Sequence, residues 1–160
     1  MEVDLNSKEN ILYQLREYGF AIIYNHWSSE KCEQALNELK SLPPQAFEEG
    51  QGGDLRCQHS NKYLTSANEF LNDSFIQSIA DEYSACNKAN RVVAGIVPHK
   101  DGQVTDSGGG WHVDSEIPAQ LKSFMYLEDV NSDNGPFVIV QKSRDLVNEL
   151  QKHSNLRISE

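Results

Sequence analysis

Trp111-His112-Val113-Asp114-Ser115-Glu116 is followed by Lys122-Ser123-Phe124-Met125-Tyr126-Leu127-Glu128-Asp129-Val130 and then by Asn134-Gly135-Pro136-Phe137-Val138-Ile139-Val140. The passage reads as three successive strands, near 111–116, 121–127 and 136–141, with Asn134-Gly135 supplying a tight-turn signal. Upstream, Arg91-Val92-Val93-Ala94-Gly95-Ile96-Val97 reads as a further strand. Gly108-Gly109-Gly110 enters the first of the three and reads equally as a flexible lead-in or as a segment that moves over a site. Several short strands separated by turns point to a sandwich or barrel.

Toward the N-terminus the period changes from two to 3.6. Asn6 with Glu9 has the spacing of a capping box and opens a predicted helix to about Tyr18, with Ile11, Leu12 and Leu15 as its apolar stripe and Gly19 as its stop. Phe20-Ala21-Ile22-Ile23-Tyr24 reads as a short buried strand. A second helix starts at Ser28 or Ser29, carries Cys32, Ala35, Leu36 and Leu39 on one face, and ends before Pro43-Pro44. Residues 46–62 read as a long surface loop, of a length that often marks a mobile functional segment. Ser66 with Glu69 has capping-box spacing, and a helix from about Ser74 to Ala85 follows, with Phe75, Ile79 and Tyr83 inward. A last helix is predicted from Ser143, placing Leu146, Val147 and Leu150 inward. Helices first and strands after give an α+β class, with residues 1–160 as a single domain.

Composition narrows the functions open to such a chain. It is 38% hydrophobic and 24% charged with a formal net charge of −10, so phosphate backbones are repelled and nucleic-acid binding is disfavoured. The longest apolar runs are a few residues, too short for a bilayer, so no membrane partner is expected. The start, Met1-Glu2-Val3-Asp4, has neither a basic nor an apolar signal region. Cys32, Cys57 and Cys86 are widely spaced and read as free thiols of a reducing, cytoplasmic compartment.

The chemistry concentrates at His112 and Asp114. Two residues apart in a strand, their side chains point to one face. An imidazole and a carboxylate on one spot supply two of the three ligands of a 2-His-1-carboxylate site, which holds Fe(II) and leaves positions open. His99-Lys100-Asp101 repeats the pattern, but in a turn between Pro98 and Gly102, where alternation no longer aligns the pair. Cys57 and His59 lie close together in sequence without a partner pair at zinc-site spacing, so structural or incidental roles are preferred. His26, before Trp27, reads as a surface or capping residue. Trp111 reads as a core residue or a pocket wall. No phosphate-cradling or nucleophile-elbow motif is present.

The run from Trp111 to Arg144 resembles the phytanoyl-CoA dioxygenase family of Fe(II)/2-oxoglutarate-dependent oxygenases. The matching elements are H-x-D (His112-Val113-Asp114), K-x-x-x-Y-L-x-D-V (Lys122 to Val130), N-G-P-F-x-x-V (Asn134 to Val140) and a helix start at Lys142-Ser143-Arg144. Tyr18-Gly19-Phe20-Ala21-Ile22-Ile23 also looks like that family's first helix-to-strand step. The resemblance implies a double-stranded β-helix (a jelly-roll, cupin-like fold) with N-terminal helices packed on the major sheet. It implies His112 and Asp114 as iron ligands and catalytic residues, Fe(II) and 2-oxoglutarate as cofactors, and O2 and a small molecule as partners in a hydroxylation. Asp114 argues against halogenation, because halogenating members carry a small residue there. Lys122 reads either as a cofactor-facing cation or as a solvated strand lysine.

Two departures bear on this. The motif P-G-S-H appears as Gln141-Lys142-Ser143-Arg144. The family's third ligand, a His, and the Arg that binds the far carboxylate of 2-oxoglutarate lie many tens of residues beyond H-x-D. Here His153 and Arg157 are the downstream candidates, at shorter spacing, and a helix-surface histidine is the competing reading. The expectation is therefore a jelly roll lacking its C-terminal third, carrying part of an active site and completed by further sequence or a partner. The alternative is a non-catalytic jelly-roll module that binds a metal or ligand.

Overall fold

A computed structural model of the chain describes residues 4–50, 53–84, 91–97, 121–132 and 136–143. Within them the chain is α+β, with four α-helices and a three-stranded antiparallel sheet. The helices are α1 (Lys8–Tyr18), α2 (Ser29–Lys40), α3 (Thr65–Leu71) and α4 (Ser74–Ser84). The strands β1 (Glu48–Glu49), β2 (Leu55–Cys57) and β3 (Ala94–Ile96) lie in that order, with β2 central. None of the helices among the described residues is long and apolar enough to cross a membrane.

The first helix follows its apolar period. Ile11, Leu12 and Leu15 of α1 are buried against Ile79 of α4, with Ala21, Ile23, Phe75, Tyr83 and Leu121 packed around them. Gly19 ends the helix at φ 87°, the left-handed conformation that glycine adopts without strain, and its N–H reaches the carbonyl of Leu15. The start differs from expectation. Ser7 is the cap, its hydroxyl accepting from the amide of Asn10. Asn6 instead pairs in both directions with the backbone of Tyr24, donating to its carbonyl at 2.7 Å and accepting from its amide at 3.0 Å. One residue of shift thus frees an amide side chain to hold the returning chain beside α1.

That returning segment, 20–24, joins no sheet among the described residues. Ala21 and Ile23 face the core while Ile22 and Tyr24 are exposed, so alternation holds and full burial does not. The second helix starts at Ser28, whose hydroxyl accepts from the amide of Lys31. Ala35 and Leu39 are buried, and Leu39 joins Leu64 and Ala67 of α3 in a second core. Leu42, Phe47, Val92, Ala94 and Ile96 pack around that core, which fixes the sheet against α2 and α3.

Residues 46–62 are not a surface loop. They contain β1, β2 and a 3-10 turn at Ser60–Lys62, and within them Asp54, Cys57 and Ser60 are buried. Polarity misled here, because the end of this run is fixed by hydrogen bonds to the backbone of Val92. The hydroxyl and amide of Ser60 both donate to the carbonyl of Val92, and Asn61 accepts from the Val92 amide. The start of α3 differs too. Leu64 stands at the cap position with no side-chain bond, and Ser66 donates its amide and hydroxyl to the carboxylate of Glu38 on α2. A carboxylate from a neighbouring helix thus does the work expected of Ser66 and Glu69, and its charge suits a helix N-terminus.

Residues 121–126 and 136–140 belong to no helix and to no strand ladder. They touch through stacked rings of Phe124 and Phe137, 5.0 Å apart, and through the Phe137 amide donating to the Tyr126 hydroxyl. Lys142, at φ 56°, donates its amide to the Tyr18 carbonyl and its ammonium to Glu17, tying this part of the chain to the end of α1. The predicted strand at 111–116 and nearly all of the last helix lie outside the described residues.

Candidate functional site

His112 and Asp114 lie outside the described residues, as do Gly108 to Gly110, Trp111, the His99–Asp101 turn, His153 and Arg157. Lys122 is described. It is exposed, and it follows Leu121, which packs on the α1–α4 core. Among the described residues, no group of three or more His, Cys, Asp or Glu side chains is placed to hold a metal ion.

Cys57 and His59 belong to no such group. The Cys57 side chain is fully buried, and that burial pushes its thiol up, which keeps it protonated and unreactive. His59 sits at φ 53°, beyond the end of β2, with Nδ1 buried and without a hydrogen-bond partner.

His26 does more than a surface residue would. Its Nε2 lies 2.8 Å from Oδ2 of Asp73, and its ring stacks on Phe75 with centroids 5.9 Å apart. The other oxygen of Asp73 caps α4, accepting from the amides of Phe75 and Ile76, each at 3.0 Å. Both side chains of the pair are about four-fifths buried. Burial alone would push the Asp73 carboxyl up. The Ile76 amide, the His26 imidazole and the Phe75 amide outweigh it and hold the group below the ordinary carboxylate value. Asp73 preceding an apolar helical period was the legible signal for the cap; a partner 47 residues away carries no local signal.

A second charged pair sits in the hairpin. Asp54 is buried and its Oδ2 accepts from Nε of Arg56, while Oδ1 has no hydrogen-bond partner. Cross-strand register places Glu48 and Gly95 opposite Arg56 on β1 and β3. Sequence reading did not find this pair, although Asp54 and Arg56 are only two residues apart.

No protein-family model, curated protein or solved structure matches the chain.

Proposed function

We propose that the chain is an Fe(II)/2-oxoglutarate-dependent dioxygenase that hydroxylates a small molecule, built on a jelly-roll fold with the helices packed on its major sheet. One observation carries the reading: H-x-D at His112 and Asp114, followed in order by the strand and turn patterns of Lys122 to Val130 and Asn134 to Val140. The α+β character of the described residues supports it. The donor set fits the metal, because one imidazole nitrogen and one carboxylate oxygen are ligands that Fe(II) accepts with open positions beside them. Bound there, iron with 2-oxoglutarate and O2 supplies the oxidation: the co-substrate becomes succinate and CO2, and a substrate C–H bond takes up one oxygen atom. Lys122 would offer positive charge to a carboxylate of the co-substrate. Unpaired thiols at Cys32 and Cys57 suit a reducing, cytoplasmic setting.

Anaerobic titration with Fe(II) and 2-oxoglutarate tests the reading without turnover. A weak visible charge-transfer band is expected. His112→Ala should weaken iron binding by more than about a hundredfold, the upper range for losing a mere supporting residue of a metal site. Iron bound equally tightly by His112→Ala would discard the assignment. The second reading is a non-catalytic jelly-roll module that binds metal or ligand. The spacing of His153 and Arg157 favours it, being shorter than the resemblance calls for. Iron binding without any succinate release would select it.

A further inference from the structure

Gly19 closes α1 from within its own stretch of chain, and a second closure arrives from residue 142. We propose that Lys142 is a tertiary cap of α1 and works as an electrostatic strap: the charge of its side chain, more than any packing, holds residues 136–143 against the helix end, and salt loosens that hold.

The end of a helix leaves its last carbonyls without partners inside the helix. In α1 the Leu15 carbonyl is taken by Gly19, and the Tyr18 carbonyl accepts from the Lys142 amide at 3.1 Å. The Lys142 ammonium donates to Glu17 and stands 5.5 Å from the centre of the Tyr18 ring. Tyr13 meets that ring edge-on, with centroids 6.2 Å apart. Arg16, the basic residue of the same turn, is turned toward Glu82 of α4. A cation at this end also meets the negative pole of the helix dipole. Amide, ammonium and ring contact thus converge on two neighbouring residues, from a position 125 residues away from Glu17.

The other attachments of the segment are weak. Phe137, Val138, Ile139 and Val140 are exposed, so burial adds little, and Phe137 leans on Phe124 and Tyr126, which lie outside the helices. The turn itself closes through one long bond, from the Ser143 amide to the Val140 carbonyl at 3.3 Å. Lys142 sits in that turn at φ 56°, a left-handed conformation that a residue with a Cβ disfavours by about fivefold to thirtyfold. The backbone leans away from this geometry, and the side chain draws it back. The Glu17 hydrogen bond and the charge of that carboxylate push the Lys142 pKa up, so the ammonium keeps its proton and salt is the control. The two side chains are 55% and 44% exposed, open to mobile ions. The screening length of those ions falls from about 10 Å at 0.1 M to about 3 Å at 1 M.

The experiment is amide hydrogen exchange on the full chain at about 0.1 M and about 1 M salt, corrected for intrinsic rates. It compares the unmodified protein with Glu17→Gln, Glu82→Gln and Lys142→Gly. In low salt the Lys142 amide should exchange slowly, being held on Tyr18. Glu17→Gln should speed it about twofold to fivefold, the range for losing one exposed ion pair, although the substitution is far away in sequence. High salt should do the same to the unmodified protein and add nothing in Glu17→Gln. Glu82→Gln, which takes from Lys8 and Arg16 their partner on α4, should leave the Lys142 amide unchanged. The Ser143 amide should share the salt response and lose it in Lys142→Gly, where the charge and the backbone penalty go together. An unprotected Lys142 amide, equal exchange in Glu17→Gln and the unmodified protein, an equal acceleration in Glu82→Gln, or a salt response that survives Lys142→Gly would each overturn the strap.

Discussion

Ile11 and Phe137 are both large apolar residues, and the chain treats them in opposite ways. Ile11 is 2% exposed, wedged between α1 and α4, whereas Phe137 is 57% exposed and meets chiefly the ring of Phe124. The same contrast separates the regions around them. In 4–84, apolar residues at helical spacing find partners on the next helix. Among the described residues of 121–140, Phe124, Tyr126, Phe137, Val138, Ile139 and Val140 stay exposed outside any helix or strand. A helix satisfies its backbone from within and asks its neighbours only for a face to bury. An extended segment has to find another strand before its side chains acquire a common surface.

The difference can be broken first at the core. Ile11→Ala should cost about 3 kcal/mol of stability, the usual penalty for emptying a fully buried aliphatic site, measured by urea unfolding. A loss below about 1 kcal/mol would mean that α1 and α4 are not the cohesive part of the molecule. The hairpin should come next. A methyl group at Gly50 would stand 2.2 Å from Oδ1 of Asp54, a buried residue that Arg56 already holds. Gly50→Ala should therefore cost about 2 kcal/mol, within the range for forced overpacking. A neutral result would return residues 46–62 to the status of a loose loop. The smallest effect belongs to the second region. Phe137→Ala should cost about 0.5 kcal/mol, the stacking increment of one aromatic pair with little burial behind it. A loss as large as that of Ile11→Ala would erase the contrast.

The helices were legible because their signals are local. Ser28 and Gly19 mark an end by chemistry acting within four residues, and the stripes of α1 and α4 repeat at a fixed period. Capping at Asn6 and Ser66 was misread for the opposite reason. Each has a side chain suited to a cap, but a partner far along the chain claims it, Tyr24 in one case and Glu38 in the other. The hairpin was missed because Glu48, Glu49 and Gly50 to Asp54 look solvated, and only the pairing of β2 with β3 explains why part of this polar run is inside. Of the candidate site, Lys122 alone falls on described residues. His112 and Asp114 rest on their spacing and on the motifs that follow them.

The bond from Ser66 to Glu38 bears on the order in which the chain organises. A seven-residue helix is too short to persist by itself in water, since nucleation costs more than so few backbone bonds return. For α3 the missing support comes from a carboxylate 28 residues earlier, on a helix with a hydroxyl cap of its own. So α2 can take shape first and serve as the template, while α3 condenses onto it only when Leu39, Leu64 and Ala67 meet. Closing that intervening stretch, with the hairpin inside it, spends loop entropy before the contacts it secures exist.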